Sequence, residues 1–204
     1  MVVVKTVQTH NVSEEEFLRA HFYNLLSQLL AEPPSLETLE FLRRLEGDET
    51  AIGCALEALS EAAVATTPKA ADEEYNALFF GKGTGGELTP YASYYQTGFV
   101  YEKPLANLRR DLMELGIARS DALGEPEDHI TTLCEIMHGL INGIFGGGCA
   151  LEIQKKFFGD HVEPWASRFF MDLKDADAAA LYKPVGVLGH EFMAVEATAF
   201  EMPA

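Results

Sequence analysis

The spacing of apolar residues constrains the fold of this chain more than any other feature of its sequence. Apolar residues recur three and four positions apart through nearly all of the 204 residues, which places them on one side of an α-helix. The clearest stripe comprises Ile130, Leu133, Cys134, Met137, Leu140, Ile141, Ile144 and Phe145. A half-buried strand would alternate apolar and polar residues, and such alternation persists nowhere in the sequence. The sequence therefore predicts an all-α fold.

Helix start and stop signals divide the chain into about ten helices, which we expect to form a single bundle-like domain over residues 1–204. The polar and acidic stretch from about 117 to 124 is the best candidate for a linker. It would separate an N-terminal helical part, about 12–116, from a C-terminal helical part, about 125–202. Two helical subdomains are the alternative arrangement.

The segment 124–138 packs a turn, a proline, three acids and a histidine against the start of the clearest stripe. Proline is favoured at the first helical position, so Pro126 is expected to open a helix that runs to about Phe145. On this helix Asp128 would lie on the polar side, over small residues, and His129 at the edge of the apolar stripe. A carboxylate in that position suits the binding of a cationic peptide better than catalysis.

Two later segments are expected to contain breaks. Gly159 should separate one helix from the next, whose first turn would hold Pro164. The last helical segment is predicted to be interrupted at Pro184, Gly186 and Gly189. The first helix, in contrast, has an unambiguous start, because a serine and a glutamate three residues later form a capping box.

The charge balance restricts the class of partner. Fifteen Lys and Arg residues stand against thirty-two Asp and Glu residues, which gives a formal net charge of −17. This charge argues against a nucleic-acid backbone and favours a basic peptide. An acidic surface that serves solubility alone is the simpler explanation of the same charge.

Cysteine usage and hydropathy indicate the compartment. The three cysteines, Cys54, Cys134 and Cys149, fall in apolar-periodic stretches and form no spaced framework, which suits buried thiols in a reducing environment. No run approaches the roughly 18 apolar residues of a membrane span, and the N-terminus lacks the pattern of a signal peptide. A cytoplasmic protein is expected.

Two alternatives involve ligands other than a peptide. The stretch Gly81–Gly86 matches a dinucleotide fingerprint, but the sequence predicts neither a strand before it nor a helix directly after it. Glu135 and His138 resemble half of a di-iron helix motif, and Cys134 shares a face with His138, yet no second Glu-x-x-His occurs. A nucleotide-binding regulator and a helical metalloenzyme or metal-binding protein that uses Glu135 and His138 therefore remain as rival interpretations.

Three blocks of residues carry a resemblance to a known family. The first is Tyr75-x-x-Leu78-Phe79-x-Gly81-x-Gly83, leading to Pro90-Tyr91-x-Ser93-x-Tyr95. The second is Glu125-Pro126-x-Asp128-His129. The third is Gln154-x-x-Phe157-Phe158-x-x-His161-Val162-x-Pro164-Trp165-x-x-x-Phe169. In order and spacing these blocks resemble the TorD/DmsD family of molybdoenzyme chaperones, also called redox enzyme maturation proteins, from about Glu14 to Phe200.

The resemblance implies an all-helical cytoplasmic chaperone rather than an enzyme. Such a chaperone binds the twin-arginine signal peptide of a molybdopterin oxidoreductase catalytic subunit and assists the maturation of that subunit before export. The residues expected to bind the peptide are Tyr75, Leu78, Phe79, Pro90, Tyr91, Ser93, Glu125, Asp128 and His129. No residue is assigned to catalysis or to a metal.

The resemblance also bears on cofactors and assembly. No cofactor is expected, although contact with a guanine nucleotide or with the molybdopterin cofactor is proposed within the family. The chain is expected to be a monomer or a domain-swapped dimer. Because a twin-arginine segment carries two guanidiniums and then an apolar run, its receptor needs carboxylates beside an apolar groove.

Overall fold

The computed structural model describes residues 13–81, 85–118, 125–145 and 150–202. Within these ranges it contains ten α-helices, a π-helical turn over Phe158–Val162 and no strand. The helices are α1 (Glu14–Ala31), α2 (Leu36–Leu42), α3 (Ala51–Ala65), α4 (Pro68–Phe79), α5 (Ala92–Thr97), α6 (Lys103–Glu114), α7 (Ile130–Ile141), α8 (Leu151–Phe157), α9 (Ala166–Asp175) and α10 (Tyr182–Glu201). The all-α prediction is confirmed. Most of the predicted linker, residues 119–124, lies outside the described residues.

The first helix begins as predicted. Ser13 Oγ accepts a hydrogen bond from the backbone N–H of Glu16 at 3.1 Å. In return, Oε2 of Glu16 accepts one from the backbone N–H of Ser13, also at 3.1 Å. This reciprocal capping box satisfies two donors that the first turn of α1 leaves without helical partners.

The C-terminal end of α1 is held by two tyrosine hydroxyls. The hydroxyl of Tyr75, on α4, lies 3.1 and 2.9 Å from the carbonyl oxygens of Leu30 and Ala31 and donates to them. The hydroxyl of Tyr182, at the start of α10, donates to the carbonyl of Leu29 at 2.8 Å. These bonds satisfy carbonyls that a helix end leaves free, and they fix α1 against α4 and α10.

One hydrophobic core runs through the described part of the chain. Helix α1 packs against α7, and α10 packs against both α9 and α3. The largest fully buried side chains are Trp165, Tyr23, Tyr182, Phe158, Phe169, Phe170 and Phe192. Residues on both sides of the predicted linker therefore contribute to the same core. None of the described helices is long and apolar enough to cross a membrane.

A buried polar network crosses this core. Arg19 Nε donates to Oε1 of Glu196 at 2.6 Å, and its Nη2 donates to Oε2 at 2.9 Å. The same Glu196 accepts from the hydroxyl of Tyr23 at 2.9 Å, and Arg19 also reaches Oε1 of Gln154 at 3.1 Å. Because Glu196 is fully buried, the bidentate arginine and the tyrosine provide the hydrogen bonds that a buried carboxylate requires.

The predicted break at Gly159 is wrong. The backbone continues from α8 into the π-helical turn, so residues 151–162 have no non-helical interruption. The interruption comes later, and α9 begins only at Ala166. Pro164 therefore precedes that helix instead of lying in its first turn.

Helix α10 is continuous, which corrects the predicted interruptions. Pro184 lies in its first turn, where a missing N–H costs no hydrogen bond. A Cβ on Gly186 would lie 2.5 Å from the backbone nitrogen of Lys174, and one on Gly189 would lie 2.2 Å from the ring of Phe170. Both glycines thus allow close contact between α9 and α10 rather than ending the helix.

The two described cysteines differ in their exposure to solvent. Cys134 is buried, as expected. Cys54 is exposed, contrary to the prediction, because the buried face of α3 runs through Ala55 and Leu59. Cys149 lies outside the described residues.

Candidate functional site

Helix α7 begins later and ends earlier than predicted. Its N-cap is His129, whose Nδ1 accepts the backbone N–H of Thr131 at 3.2 Å. Pro126 and Asp128 therefore precede the helix, which ends at Ile141 rather than near Phe145. The predicted placement of Asp128 on the polar face of the helix is wrong for the same reason.

A two-bond backbone bridge explains this start. The N–H of Ala92 donates to the carbonyl of Asp128 at 2.9 Å, and the N–H of Ile130 donates to the carbonyl of Pro90 at 3.0 Å. These bonds form an isolated antiparallel bridge centred on Tyr91 and His129. Two segments that are far apart in sequence, 90–92 and 128–130, are joined in this way.

Side chains strengthen the same junction. The hydroxyl of Tyr91 donates to Oε2 of Glu125, which lies 34 residues away in sequence. The rings of Tyr91 and His129 meet edge to face with centroids 5.0 Å apart, a preferred aromatic geometry. Three of the predicted binding residues are thus brought into one cluster.

Asp128 supports this cluster from within the protein. Its side chain is 1% exposed, and Oδ2 accepts the backbone N–H of Ser93 at 2.8 Å. Ser93 lies in the first turn of α5, so the carboxylate caps that helix. Its other oxygen, Oδ1, has no hydrogen-bond partner within the described ranges. Asp128 also borders a second cleft of about 320 Å³ that Asp160 and His161 help to line.

Two further predicted binding residues are buried. Leu78 and Ser93 are both 0% exposed. The carbonyl of Leu78 accepts the N–H of Leu88 at 2.8 Å, which holds the returning loop against the end of α4. Leu78 and Ser93 therefore shape the aromatic cleft from within the protein, as does the Asp128 oxygen that caps α5.

The remaining six predicted residues border one cleft of about 310 Å³, which we call the aromatic cleft. They are Tyr75, Phe79, Pro90, Tyr91, Glu125 and His129. Its other lining residues are Ala31, Phe80, Gly85, Gly86, Leu88, Thr89, Thr131, Thr132 and Glu135. The Tyr75 ring lies 4.9 Å from that of Phe79 and 5.9 Å from that of Phe80, measured between centroids. These rings form a continuous apolar wall.

The aromatic cleft is acidic. Its described lining includes two carboxylates, Glu125 and Glu135, and neither lysine nor arginine. Burial raises the pKa of Glu135, since reduced hydration penalises its charged form. Burial also lowers the pKa of His129 to about 4. The imidazole is therefore neutral near pH 7, which agrees with Nδ1 acting as an acceptor, and it adds no positive charge to the cleft.

One buried hydroxyl beside the cleft lacks a hydrogen-bond partner among the described residues. Thr131 is 8% exposed, and its Oγ1 has no hydrogen-bond partner in the described part of the chain. Buried polar atoms are nearly always hydrogen-bonded in folded proteins. Thr131 and Glu135 are four residues apart and share one face of α7. The sequence singles out Glu135 only as a rival metal ligand and Thr131 not at all, because the cleft beside them is formed by the end of α1 and by residues 85–90, which only packing brings there.

The glycine-rich loop does not have the surroundings of a nucleotide site. It follows α4, whereas a dinucleotide site requires a strand at this point. Gly81 and Gly85 have φ values of 62° and 96°, which favour glycine, and they return the chain to α4. Residues 82–84 of this loop lie outside the described residues.

The proposed metal ligands Glu135 and His138 acquire no third ligand among the described residues. His138 Nδ1 lies 2.9 Å from the carbonyl oxygen of Ala20, to which it donates. Burial raises the pKa of the nearby Cys134 thiol, which keeps it protonated. Within the described ranges, three possible ligand atoms lie close together elsewhere, on Asp111, Asp160 and His161. There Lys156 already binds Asp160 at 2.8 Å.

Comparison with known proteins agrees with this architecture. A family model described as nitrate reductase delta subunit matches residues 45–171. A chaperone protein TorD from Vibrio atlanticus (strain LGP32) is 27% identical over an alignment 193 residues long, and the match covers 83% of this chain and 88% of the relative. A crystal structure from Archaeoglobus fulgidus, described as a redox enzyme maturation protein, matches with a TM-score of 0.60 at 20% identity, over 87% of this chain and 94% of the other.

Proposed function

We propose that this chain, which belongs to the nitrate reductase delta subunit family, binds a twin-arginine signal peptide. The family is that of the TorD/DmsD redox enzyme maturation chaperones. The peptide is the leader of a molybdopterin oxidoreductase catalytic subunit. The aromatic cleft receives the peptide. The chaperone acts in the cytoplasm, holds the subunit during maturation and catalyses no reaction itself. The proposal requires no bound cofactor.

The observation that carries this proposal is the combination of an aromatic wall with carboxylates in one cleft. Tyr75, Phe79 and Phe80 offer apolar surface, and Glu125 and Glu135 offer negative charge. A twin-arginine leader presents guanidiniums followed by an apolar run, so one groove with both properties complements it. The net charge of −17 adds long-range attraction for such a peptide.

The proposal divides the predicted residues into two groups. Asp128, Ser93 and Leu78 are positioning residues, because they are buried and do not border the aromatic cleft. The six residues that border the aromatic cleft make the contacts, together with Glu135, Thr131 and Phe80. Asp128 therefore holds the bridge and α5 in place, and does not receive an arginine itself.

A matched pair of phenylalanine variants tests the apolar wall. Phe80 is 57% exposed and borders the aromatic cleft, whereas Phe41 is 54% exposed on α2 and does not. Because a contacting aromatic residue is a typical binding hot spot, Phe80→Ala should weaken calorimetric binding of a twin-arginine leader about tenfold. Phe41→Ala should leave the dissociation constant unchanged. Equal affinities for the two variants would contradict the assignment of the cleft.

A further inference from the structure

A second cleft continues the aromatic cleft toward the end of α1. It has a volume of about 420 Å³, and we call it the polar extension. Its lining residues are Asn24, Ser27, Gln28, Ala31, Glu32, Pro33, Pro34, Thr38 and Glu135. Ala31 and Glu135 line both clefts. The two clefts therefore adjoin at these residues, and we call them together the groove, which is apolar and aromatic at one end and polar at the other.

The polar extension has an excess of negative charge. Glu32 is the C-cap of α1, and the last turn of that helix contains no basic residue. A helix C-terminus is the negative end of the macrodipole, where a cation is stabilising and an acid is not. Glu135 adds a second carboxylate, and the described lining contains neither lysine nor arginine. A positively charged partner would balance this negative charge.

The hydrogen bonds at the end of α1 do not remove that charge. The carbonyls of Leu29, Leu30 and Ala31 accept from the hydroxyls of Tyr75 and Tyr182. A neutral hydroxyl satisfies a carbonyl but brings no positive charge with it. The negative potential at this end of the groove therefore persists.

A buried hydroxyl stands near the junction of the two clefts. Thr131, one helical turn before Glu135, is 8% exposed and has an Oγ1 without a hydrogen-bond partner among the described residues. Thr131 lines the aromatic cleft, and its buried hydroxyl oxygen can accept a hydrogen bond from a donor-rich group such as guanidinium once the side chain turns toward that cleft. It is an indication of a polar ligand that is independent of the two carboxylates.

We propose that the groove fixes the direction of the bound leader, an inference that rests on the proposed function. The two arginines lie at the junction beside Glu135, and the residues that precede them lie in the polar extension next to Glu32. The apolar run that follows the arginines lies on the aromatic wall, toward Gly85 and Gly86. The leader thus runs from the end of α1 toward the glycine-rich loop.

Isosteric variants test the position of the arginines. The double variant Glu32→Gln/Glu135→Gln should weaken binding of a twin-arginine leader about tenfold, because two charge-assisted contacts are lost. It should bind a leader in which both arginines are replaced by glutamine as well as the wild type does. Glu40→Gln, an exposed control on α2, should bind both leaders as the wild type does.

The outcomes separate this inference from the proposed function. If the wild type prefers the arginine leader and the double variant keeps that preference, the position of the arginines is wrong but the proposed function stands. If the wild type binds neither leader, the proposed function itself is contradicted. Denaturation midpoints of all variants, measured in parallel, establish that each one is folded.

Photo-crosslinking tests the direction. A benzophenone placed before the arginines should react with residues 24–38, and one at the far end of the apolar run should react with residues 79–81 or 85–91. The reversed pattern would contradict the proposed direction. A single pattern shared by both probes would also contradict it, because the groove would then impose no order on the peptide.

Discussion

The Asp128 carboxylate stabilises the site through backbone contacts. Its Oδ2 accepts the N–H of Ser93, and its carbonyl accepts the N–H of Ala92. One residue therefore both caps α5 and forms half of the bridge that holds 90–92 against 128–130. A capping carboxylate in this position is costly to remove even if no partner ever touches it.

Variants of Asp128 separate positioning from direct contact. Asp128→Ala should lower the free energy of unfolding by about 1 to 2 kcal/mol, because the Ser93 N–H loses its acceptor. Asp128→Asn keeps an oxygen at the same place, so its free energy of unfolding, measured by urea denaturation, should fall by less than half of that amount. Its preference for an arginine leader over a glutamine leader should match that of the wild type. Loss of this preference in a stable Asp128→Asn protein would instead mean that an arginine reaches Asp128 through the cleft lined by Asp160 and His161.

The folding stability of the protein should depend on pH through His129. Its pKa is lowered by burial from 6.5 to about 4, so between these values the unfolded chain binds a proton that the folded chain does not. Stability should therefore fall as the pH drops from about 6.5 to about 4, by about 2 to 3 kcal/mol from this residue. The raised pKa of Glu135 acts in the opposite direction.

The variant His129→Asn isolates this contribution, because asparagine is a good N-cap but does not titrate. As the pH is lowered from 7 to 4, the wild type should lose more unfolding free energy than the variant does. Parallel pH profiles for the two proteins would mean that His129 titrates normally in the folded state.

At the scale of the elements, the contact between α9 and α10 depends on glycine. A Cβ on Gly186 would meet backbone atoms of Phe170 and Lys174 at 2.7 and 2.5 Å, and backbone atoms cannot rotate away. Gly186→Ala should therefore separate the helices and lower the free energy of unfolding by about 2 kcal/mol. Gly159→Ala is the matched control, since its nearest neighbour would be Glu163 Oε2 at 3.7 Å. Equal denaturation midpoints for the two variants would contradict this account of the packing.

Local signals predicted some elements and not others. The capping box at Ser13 predicted the start of α1 because both partners lie within one turn. Pro126 misled because proline is common both in turns and in the first turn of a helix. In the structure the backbone bridge to Pro90 and Ala92 places Pro126 in a turn before the helix. No local pattern encodes such a long-range pairing. The helix break predicted at Gly186 is wrong for a related reason, since a contact with α9 outweighs the low helix propensity of glycine.

For the whole molecule, the periodicity and the motif spacing were sufficient to predict the fold class and the family. The fold class could be predicted because a single apolar period of about 3.6 residues leaves no alternative to packed helices. The same information could not locate the groove. Its walls come from the ends of α1 and α4, the returning loop and the start of α7, and only packing brings these ends together. We propose that these parts fold as one domain, which is the arrangement that would hold such a groove in shape.

The central claim is that this acidic groove recognises a twin-arginine leader by both charge and apolar contact. Calorimetric titration of the wild-type chain with such a leader, beside its diglutamine counterpart, tests it most directly. At low ionic strength the arginine leader should bind at least about tenfold more tightly, and raising the salt to about 0.3 M should narrow the difference through screening. Equal affinity for the two leaders at every salt concentration, or no binding of either, would contradict the claim.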